Sequence, residues 1–595
     1  MTSAEVAAGS PPARSWRADA ARALTTVIVA IAVFVITWFF RFNDPGGAFA
    51  GLTDDHFYYL VRGWQILFGE LPVRDFADNG APLQYYTAWA VQTVFGRGTL
   101  SEAAFSISAI ALGAAATFAL ARHASGSIVC GLIGAAFEIL LEPRLYGYPK
   151  ILVYVAAIAV LWAFADRPTP RRASLVALVA VVGFMFRHDH GAYVSMAMAV
   201  TLVLIPALSW RERLRQALWY AGMVLVLLAP YLLFVQANGG VVSYFRETSA
   251  WAERDRARAS VTWPALFEQS DPETDETRRG NAVTRAKRSI RANAVAWTYD
   301  VELALPLVAA GMLWVSRDGF RRSWPNARVK IGMVAALGLV LDAGFLRSPL
   351  AARLADPSVP HAILIAWLTA AAASLVWSSS SLRAPFDRRA TLVRGVALAA
   401  LLPIGFVIWS VMGKDLHRRF EKSAMTQGLG DVLDRRDVVI AQMRAGWDIA
   451  SWPASAHHSD LIGLSRYVNA CTAPGDRVFV DAYAPQIVAM ARRGFAGGHS
   501  DLRFGMFDTA DAQRRTVARL RRQSVPVILL DADDAFPADF PVVMAYIAER
   551  YRLAGTRRFG DRIAMRLYVR RDLPARGTYE PFGWPCYGSG VADGS

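Results

Sequence analysis

Charge is scarce in this chain, at 19% Asp, Glu, Lys and Arg, and it is almost missing from runs of 17 or more residues such as 24 to 40 (LTTVIVAIAVFVITWFF). That excludes a uniformly soluble surface. Cysteine is scarcer still: of three, Cys130 falls inside an apolar run, leaving Cys471 and Cys586 far apart in sequence as the one pair placed to bridge, so the chain is no disulfide-built scaffold. No repeat of solenoid period is present, which excludes a repeat array. Glycine-rich phosphate-loop spacing is also lacking: "AGGHSD" (Ala496 to Asp501) has no strand leading directly into it, and reads as a loop, one placed to touch an acceptor. Acidic residues are outnumbered 49 to 64, for a net charge of +15; that suits a protein on anionic lipid and calls for no nucleic acid.

What the chain has is apolar sequence, 54% of it, gathered into runs. A helix of about 20 apolar residues crosses a bilayer. Residues 24 to 40 come first, after a 1 to 23 tail bearing Arg14, Arg17 and Arg22, and no small-residue cleavage site follows, so this run reads as a retained helix. Further spans are expected at 101 to 121, 126 to 142, 147 to 164, 173 to 187, 191 to 208, 215 to 236, 301 to 316, 331 to 346, 361 to 378 and 392 to 412, about 11 in all and 11 to 13 at the limits. Residues 82 to 95 (PLQYYTAWAVQTVF) suit an interfacial or re-entrant segment, because counting them as a span inverts every later loop. After Met412 the runs stop, and 413 to 595 alternates helical and strand-like patterns as soluble α/β sequence does.

Lys and Arg collect on the cytoplasmic side. The loops "DRPTPRR" (166 to 172), "SWRERLR" (209 to 215), "RDGFRRSWPNARVK" (317 to 330) and "SLRAPFDRRA" (381 to 390) therefore belong inside. Loops 41 to 100 and 237 to 300, with the domain 413 to 595, are then external, and the expected location is the plasma (inner) membrane with that domain periplasmic.

In the first external loop, Asp54 and Asp55 precede an aromatic amphipathic stretch, "HFYYLVRGWQILFG". Thr53 or Asp54 can cap that helix, since acidic side chains meet free N–H groups at a helix start; capping and catalysis are compatible roles. The stretch runs on into G-x-L-P-x-R-D-F-x-D-N-G-x-P-L-x-Y-Y over residues 69 to 86. Over residues 50 to 95 the pattern resembles the GT-C superfamily of integral membrane glycosyltransferases, which includes protein O-mannosyltransferases, the lipid A aminoarabinose transferase and arabinofuranosyltransferases.

The resemblance implies a GT-C-like helical membrane domain over 24 to 412, a catalytic carboxylate at Asp54 or Asp55, and a sugar donor carried on polyprenyl phosphate. The acceptor is then a hydroxyl on a glycan, lipid or protein. Arg74, Asp75 and Asp78 of the same motif become substrate contacts. A lipid phosphate leaving group calls for cations, guanidinium above all. Three external loops offer them: Arg144, Tyr148 and Lys150; Arg187, His188, Asp189 and His190; Arg347, Arg353 and His361. The plainer accounts are headgroup contact for Arg144 and Lys150 and a local ion pair of Arg347 with Asp356. "RHDHG" (187 to 191) is the most pointed of the three, because a structural hairpin needs only Gly or Asn. Some members of the superfamily bind a divalent ion beside the donor phosphate, and His188, Asp189, His190, Asp54 and Asp55 have suitable donor atoms; His-Asp-His is no recognised metal motif, so a divalent ion stays open and no cofactor is assigned. The competing classes are a transporter or flippase of a charged lipid, which calls for broken helices in two related halves, and a non-catalytic cell-envelope assembly subunit.

Overall fold

The structure, a computed structural model, describes residues 16–44, 52, 54–258, 263–266, 282–315, 324–347, 350–377, 388–446, 459–502, 507–533, 535–559 and 563–587. Among the described residues, fifteen helices form the membrane part: α1 (Trp16–Asn43), α2 (Asp54–Leu67), α3 (Pro82–Val94), α4 (Thr99–Ser125), α5 (Ile128–Leu140), α6 (Tyr148–Asp166), α7 (Pro170–Phe186), α8 (His188–Leu204), α9 (Trp210–Ala237), α10 (Val241–Arg258), α11 (Ala282–Ala292), α12 (Ala294–Val315), α13 (Ala327–Arg347), α14 (Ser358–Trp377) and α15 (Arg388–Lys422). Each of the eleven expected runs falls on one of these helices, and the segment 82 to 95 is the short α3.

By length and apolarity, α1 from Ala20, α4, α6 with its preceding turn, and α9 are long enough to cross a membrane. At 13 residues, α5 is about 20 Å long, short of the roughly 30 Å hydrocarbon core, so 126 to 142 is not a full span by itself. Small residues let the central helix pack: Ala103, Ala111, Ala114, Ala121 and Ala124 of α4 are fully buried, against α1, α5, α6 and α14. The outward faces are apolar. Leu24, Ile28 and Ile31 on α1 and Leu218, Leu225 and Leu233 on α9 are well over half exposed, a surface suited to lipid, where every backbone polar group is already satisfied within a helix.

The bundle has two distinct ends. At one, Lys330 bonds Asp166 at 2.8 Å and Trp324 donates to His123, joining the basic loops expected inside. At the other, Glu142 meets Arg41 and Arg419, so α1, the end of α5 and the end of α15 converge. The membrane part does not stop at Met412: α15 runs on to Lys422, and the next helix, α16 (Leu429–Gly446), packs against α1 and α4. "GKDLHRRFEK" ends apolarity without ending helicity, because its Lys, Leu, Arg and Glu are good helix formers.

The α/β domain begins at α17 (Ser459–Cys471). It continues with β1 (Arg477–Val480), α18 (Pro485–Met490), β2 (Gly494–Phe495), α19 (Ala510–Arg522), β3 (Val527–Asp531), α20 (Phe536–Asp539), α21 (Pro541–Arg550), β4 (Tyr551–Phe559) and β5 (Ile563–Arg570). The sheet order is β2-β1-β3-β5-β4; β1 pairs in parallel with β2 and β3, while β5 is antiparallel to β3 and β4. All of β1 and most of β3 is buried, which is why "RVFV" and "VILLD" are continuous runs without alternation. A two-stranded ribbon, β6 (Gly577–Tyr579) and β7 (Trp584–Cys586), is tied to α17 by the disulfide Cys471–Cys586. The bridge closes a separation of 115 residues, worth about 4 to 5 kcal/mol in a chain-entropy account.

Candidate active site

Helix α2 presents two faces. His56 turns inward to Glu102 at 3.2 Å, while Asp55, Tyr59 and Arg62 follow at helical spacing on a face that meets the loops of the bundle end and the α/β domain. The side chain of Asp54 lies outside the described residues, although its backbone begins the helix. The Asp55 carboxylate is partly exposed, accepts a hydrogen bond from the Tyr483 hydroxyl, and lies 3.9 Å from the Arg144 guanidinium. Tyr59 rests near the Tyr146 ring, with centroids 6.0 Å apart, and burial pushes its hydroxyl up to about 12, with Arg187 pulling the other way. Burial likewise raises Tyr483 and Tyr146, and the Asp55 charge adds to both shifts. The phenols around Asp55 are therefore neutral donors at working pH.

Cations from separate loops converge beside this carboxylate. Arg187 makes a two-point contact with Asp189, at 2.7 and 2.6 Å. The Lys150 ammonium bonds Asp356 at 2.5 Å. Arg187 and Asp189 act electrostatically on Lys150 and on Tyr59, and Asp356 acts on Arg187. Asp55, Arg144, Lys150 and Arg187 thus share one electrostatic neighbourhood drawn from α2 and two external loops, with Asp356 added from a third. His190 is buried beside it, its Nδ1 2.8 Å from the Tyr154 hydroxyl and 3.4 Å from Asp189.

A second cluster belongs to the motif's turn. Asp78 accepts from the N–H groups of Gly80 and Ala81 at 2.8 and 3.1 Å, and from the hydroxyls of Tyr231 and Tyr244 at 2.9 and 3.0 Å. Its acceptor sites are filled, so it organises the turn. His188 belongs here as well, 3.2 Å from the Tyr244 hydroxyl and stacked on Phe184. Gly80 has φ +88°, and a Cβ there would meet the His188 ring at 2.8 Å, so only glycine lets turn and imidazole approach. Arg74 and Asp75 pair with each other, and Asp75 also accepts from Leu71 N at 2.8 Å. Arg74 lines a polar cavity of about 210 Å³ together with Asp78 and Tyr244 of this cluster and with His499, Arg515 and Arg519.

Two expected contacts, Tyr148 and His361, differ from the reading of the sequence. Tyr148 is buried with its ring edge-on to Phe105 and Phe186. Tyr146, two residues earlier in a 3-10 turn, is the tyrosine that Arg144 and Asp55 meet. His361 is fully buried, 3.3 Å from Asp342 inside the bundle, because it lies in the first turn of α14 and faces the other helices. Asp356 pairs with Lys150; the Arg347 side chain lies outside the described residues, and Arg353 donates to the Gly344 carbonyl at 3.0 Å. Tyr483 carried no signal in the sequence, since it reaches Asp55 across 428 residues.

The α/β domain is clamped over α2 and the motif loop. Arg477 bonds Glu70 at 3.2 and 3.1 Å, Arg62 donates to Ser500 at 2.9 Å, Gln65 to the Phe495 carbonyl at 3.1 Å, and Ala77 N to the Gly498 carbonyl at 3.0 Å. "AGGHSD" is thus a buried docking loop against the first external loop. Within it His499 is buried beside Thr516 and Phe507, and burial, with Arg519, Arg62 and Arg515 adding to it, holds its imidazole well below the usual range. In the unfolded chain the same histidine titrates near about 6.5. Below that pH the unfolded state binds a proton that the folded state refuses, so stability falls as pH falls from neutrality. Thermal unfolding of the purified protein should show a loss between about pH 6.5 and 5 that His499→Gln flattens; an identical pH slope in both proteins counts against this assignment.

Among the described residues, no three His, Cys, Asp or Glu side chains converge as metal ligands. His188 and His190 are engaged with tyrosines, so these described side chains do not form a cage for a divalent ion.

Fold and site together define an integral membrane protein: a helical bundle whose one end gathers a carboxylate and cations under an α/β domain. No family model matches the chain, and no curated protein matches it. Among solved structures it matches the crystal structure of ArnT from Cupriavidus metallidurans bound to undecaprenyl phosphate, with a TM-score of 0.45 and 12% identity, over 92% of this chain and 98% of that one. ArnT is a GT-C lipid A aminoarabinose transferase.

Proposed function

We propose that this protein is a glycosyltransferase that moves a sugar from a polyprenyl-phosphate donor to a hydroxyl acceptor at the external face of the plasma (inner) membrane. The observation that carries the reading is the meeting of Asp55 with Arg144 at 3.9 Å in the electrostatic neighbourhood of Lys150 and Arg187. A base and a phosphate-binding cation set are the two parts this chemistry needs, and they stand side by side.

The reaction follows from their placement. The acceptor oxygen forms a bond to the anomeric carbon as the bond from that carbon to the phosphate oxygen breaks, and the electron pair leaves with the phosphate. Asp55 takes the acceptor proton as an oxocarbenium-like state develops, and passes it to water. Arg144, Arg187 and Lys150 meet the charge that grows on the leaving phosphate. Tyr483 orients Asp55 from the α/β domain, and Asp189 and Asp356 hold the cations in place before the donor arrives. The disulfide supports an oxidising, external compartment for that domain. The test is transfer of radiolabelled sugar by the unmodified protein from a panel of polyprenyl-phosphate sugars to membrane glycans, lipids and proteins. Transfer from one of them is expected; none from any, in a preparation that binds polyprenyl phosphate, overturns the reading.

A further inference from the structure

Below the cation cluster, α12, α13 and α14 bring Glu302, Asp342 and His361 together inside the bundle, all fully buried. His361 Nε2 lies 3.3 Å from Asp342 Oδ2, outside good hydrogen-bond geometry. Both Glu302 oxygens, and the nearby buried Ser358 hydroxyl, have no hydrogen-bond partner. The charges of Asp342 and Asp356 both act on Glu302. Two carboxylates do not both remain ionised side by side in a dry interior where, among the described residues, one imidazole is the cationic group adjoining them; such a group binds a proton instead. The three side chains do not have a metal ion's ligand arrangement. Ionisable residues at this depth mark function by default, because apolar packing serves a purely structural bundle better.

We propose that Glu302, Asp342 and His361 form a buried proton-binding site, and that it is coupled through Asp356 to the lysine that receives the donor phosphate. Lys150 is held by Asp356. A phosphate that draws Lys150 away removes the cation bonded to Asp356, leaves it the more distant charge of Arg187, itself paired to Asp189, and strengthens the action of the Asp356 charge on Glu302. Among the described residues, Arg353, spent on the Gly344 carbonyl, and the Tyr299 hydroxyl, spent on the Leu350 carbonyl, also stand at this mouth, and Arg187 is held by Asp189. The added negative charge is met by one proton taken from water, which completes the change Asp356 or Asp342 carboxylate plus proton to carboxylic acid. The coupling rests on the phosphate-donor reading above; the proton site itself does not.

Infrared spectroscopy of the full chain in lipid nanodiscs tests both parts. Without ligand at pH 8, the carbonyl stretch of a protonated carboxylic acid should be present and should shift in heavy water. Glu302→Gln should remove most of it, while Glu138→Gln, which alters a separate buried carboxyl on α5, accounts for any remainder. No acid band in the unmodified protein, a measurement that needs no variant to fold, or a band that Glu302→Gln leaves whole, overturns the site. Addition of polyprenyl monophosphate, with its retention measured in the same sample, should increase the acid band. Retained phosphate with an unchanged band overturns the coupling, whereas phosphate that is not retained counts against the donor reading and leaves the proton site standing on its first measurement.

Discussion

Asp55→Asn is expected to lower sugar transfer about 100- to 10,000-fold, the usual cost of losing a general base, with little change in stability. The size of the effect separates roles. Asn keeps the shape and the ability to accept from Tyr483, yet it cannot take a proton at neutral pH. Were Asp55 only an ion-pair partner of Arg144, which is itself well exposed, the loss would be about 1 kcal/mol or less, roughly fivefold. Asp54→Asn distinguishes the neighbouring carboxylate: at the first helical position its Asn keeps much of the capping capacity, and near-normal turnover is expected. Tyr483→Phe removes the hydrogen bond that orients Asp55; bonds to charged groups are worth about 1.5 to 3 kcal/mol, so transfer should fall by roughly tenfold or more without loss of the native fold. The readout is initial rate with the donor found active in the panel, on variants with unaltered thermal unfolding. If Asp55→Asn retains near-normal turnover, the carboxylate is structural and the mechanism is wrong.

The parts of the molecule legible in the sequence are those fixed by a local rule. Apolar runs such as 24 to 40 declare helices because lipid demands uninterrupted apolar length, and the helices follow those runs. The α/β domain was legible for a similar reason: "RVFV" and "VILLD" have the length and burial pattern of inner strands. What was not legible depends on distant contacts or on phase. Met412 looked like a boundary because hydropathy falls there, but hydropathy does not report helicity, and α15 continues to Lys422. Tyr146 and Tyr148 differ by two residues, and only the 3-10 turn at Leu145–Gly147 decides which of them faces Asp55. The position of His361 after "LADPSVP" groups it with the external loop, yet the first turn of α14 points it into the bundle. Asp356 can pair locally with Arg347, whose side chain lies outside the described residues, and no local rule reveals that the fold brings Lys150 to it from 206 residues away.

The cations of the site are expected to show their role through donor affinity. Arg187→Ala should weaken binding of polyprenyl phosphate by about 10- to 100-fold, since a charge-assisted hydrogen bond contributes about 1.5 to 3 kcal/mol and each 1.4 kcal/mol is about tenfold. Two effects add in that variant. The guanidinium is lost, and the Asp189 carboxylate it held at 2.6 and 2.7 Å is released to repel the incoming phosphate. The double variant Arg187→Ala with Asp189→Asn removes the cation without stranding the anion, so it should recover part of the lost affinity. Lys150→Met obeys the same logic with Asp356 as the stranded partner, and Lys150→Met with Asp356→Asn should again bind better than Lys150→Met alone. Buried pairs broken on one side also destabilise a fold, but Arg187 and Asp189 are each more than a third exposed, so water takes up much of that cost and the single variant should still fold. Raising salt should weaken donor binding in the unmodified protein more than in the Arg187→Ala variant, because the variant has one fewer screened attraction to lose. Binding measured by titration of polyprenyl monophosphate into each protein in nanodiscs decides the matter: unchanged affinity in both Arg187→Ala and Lys150→Met would return these side chains to headgroup contacts at the bilayer surface and remove the phosphate half of the site.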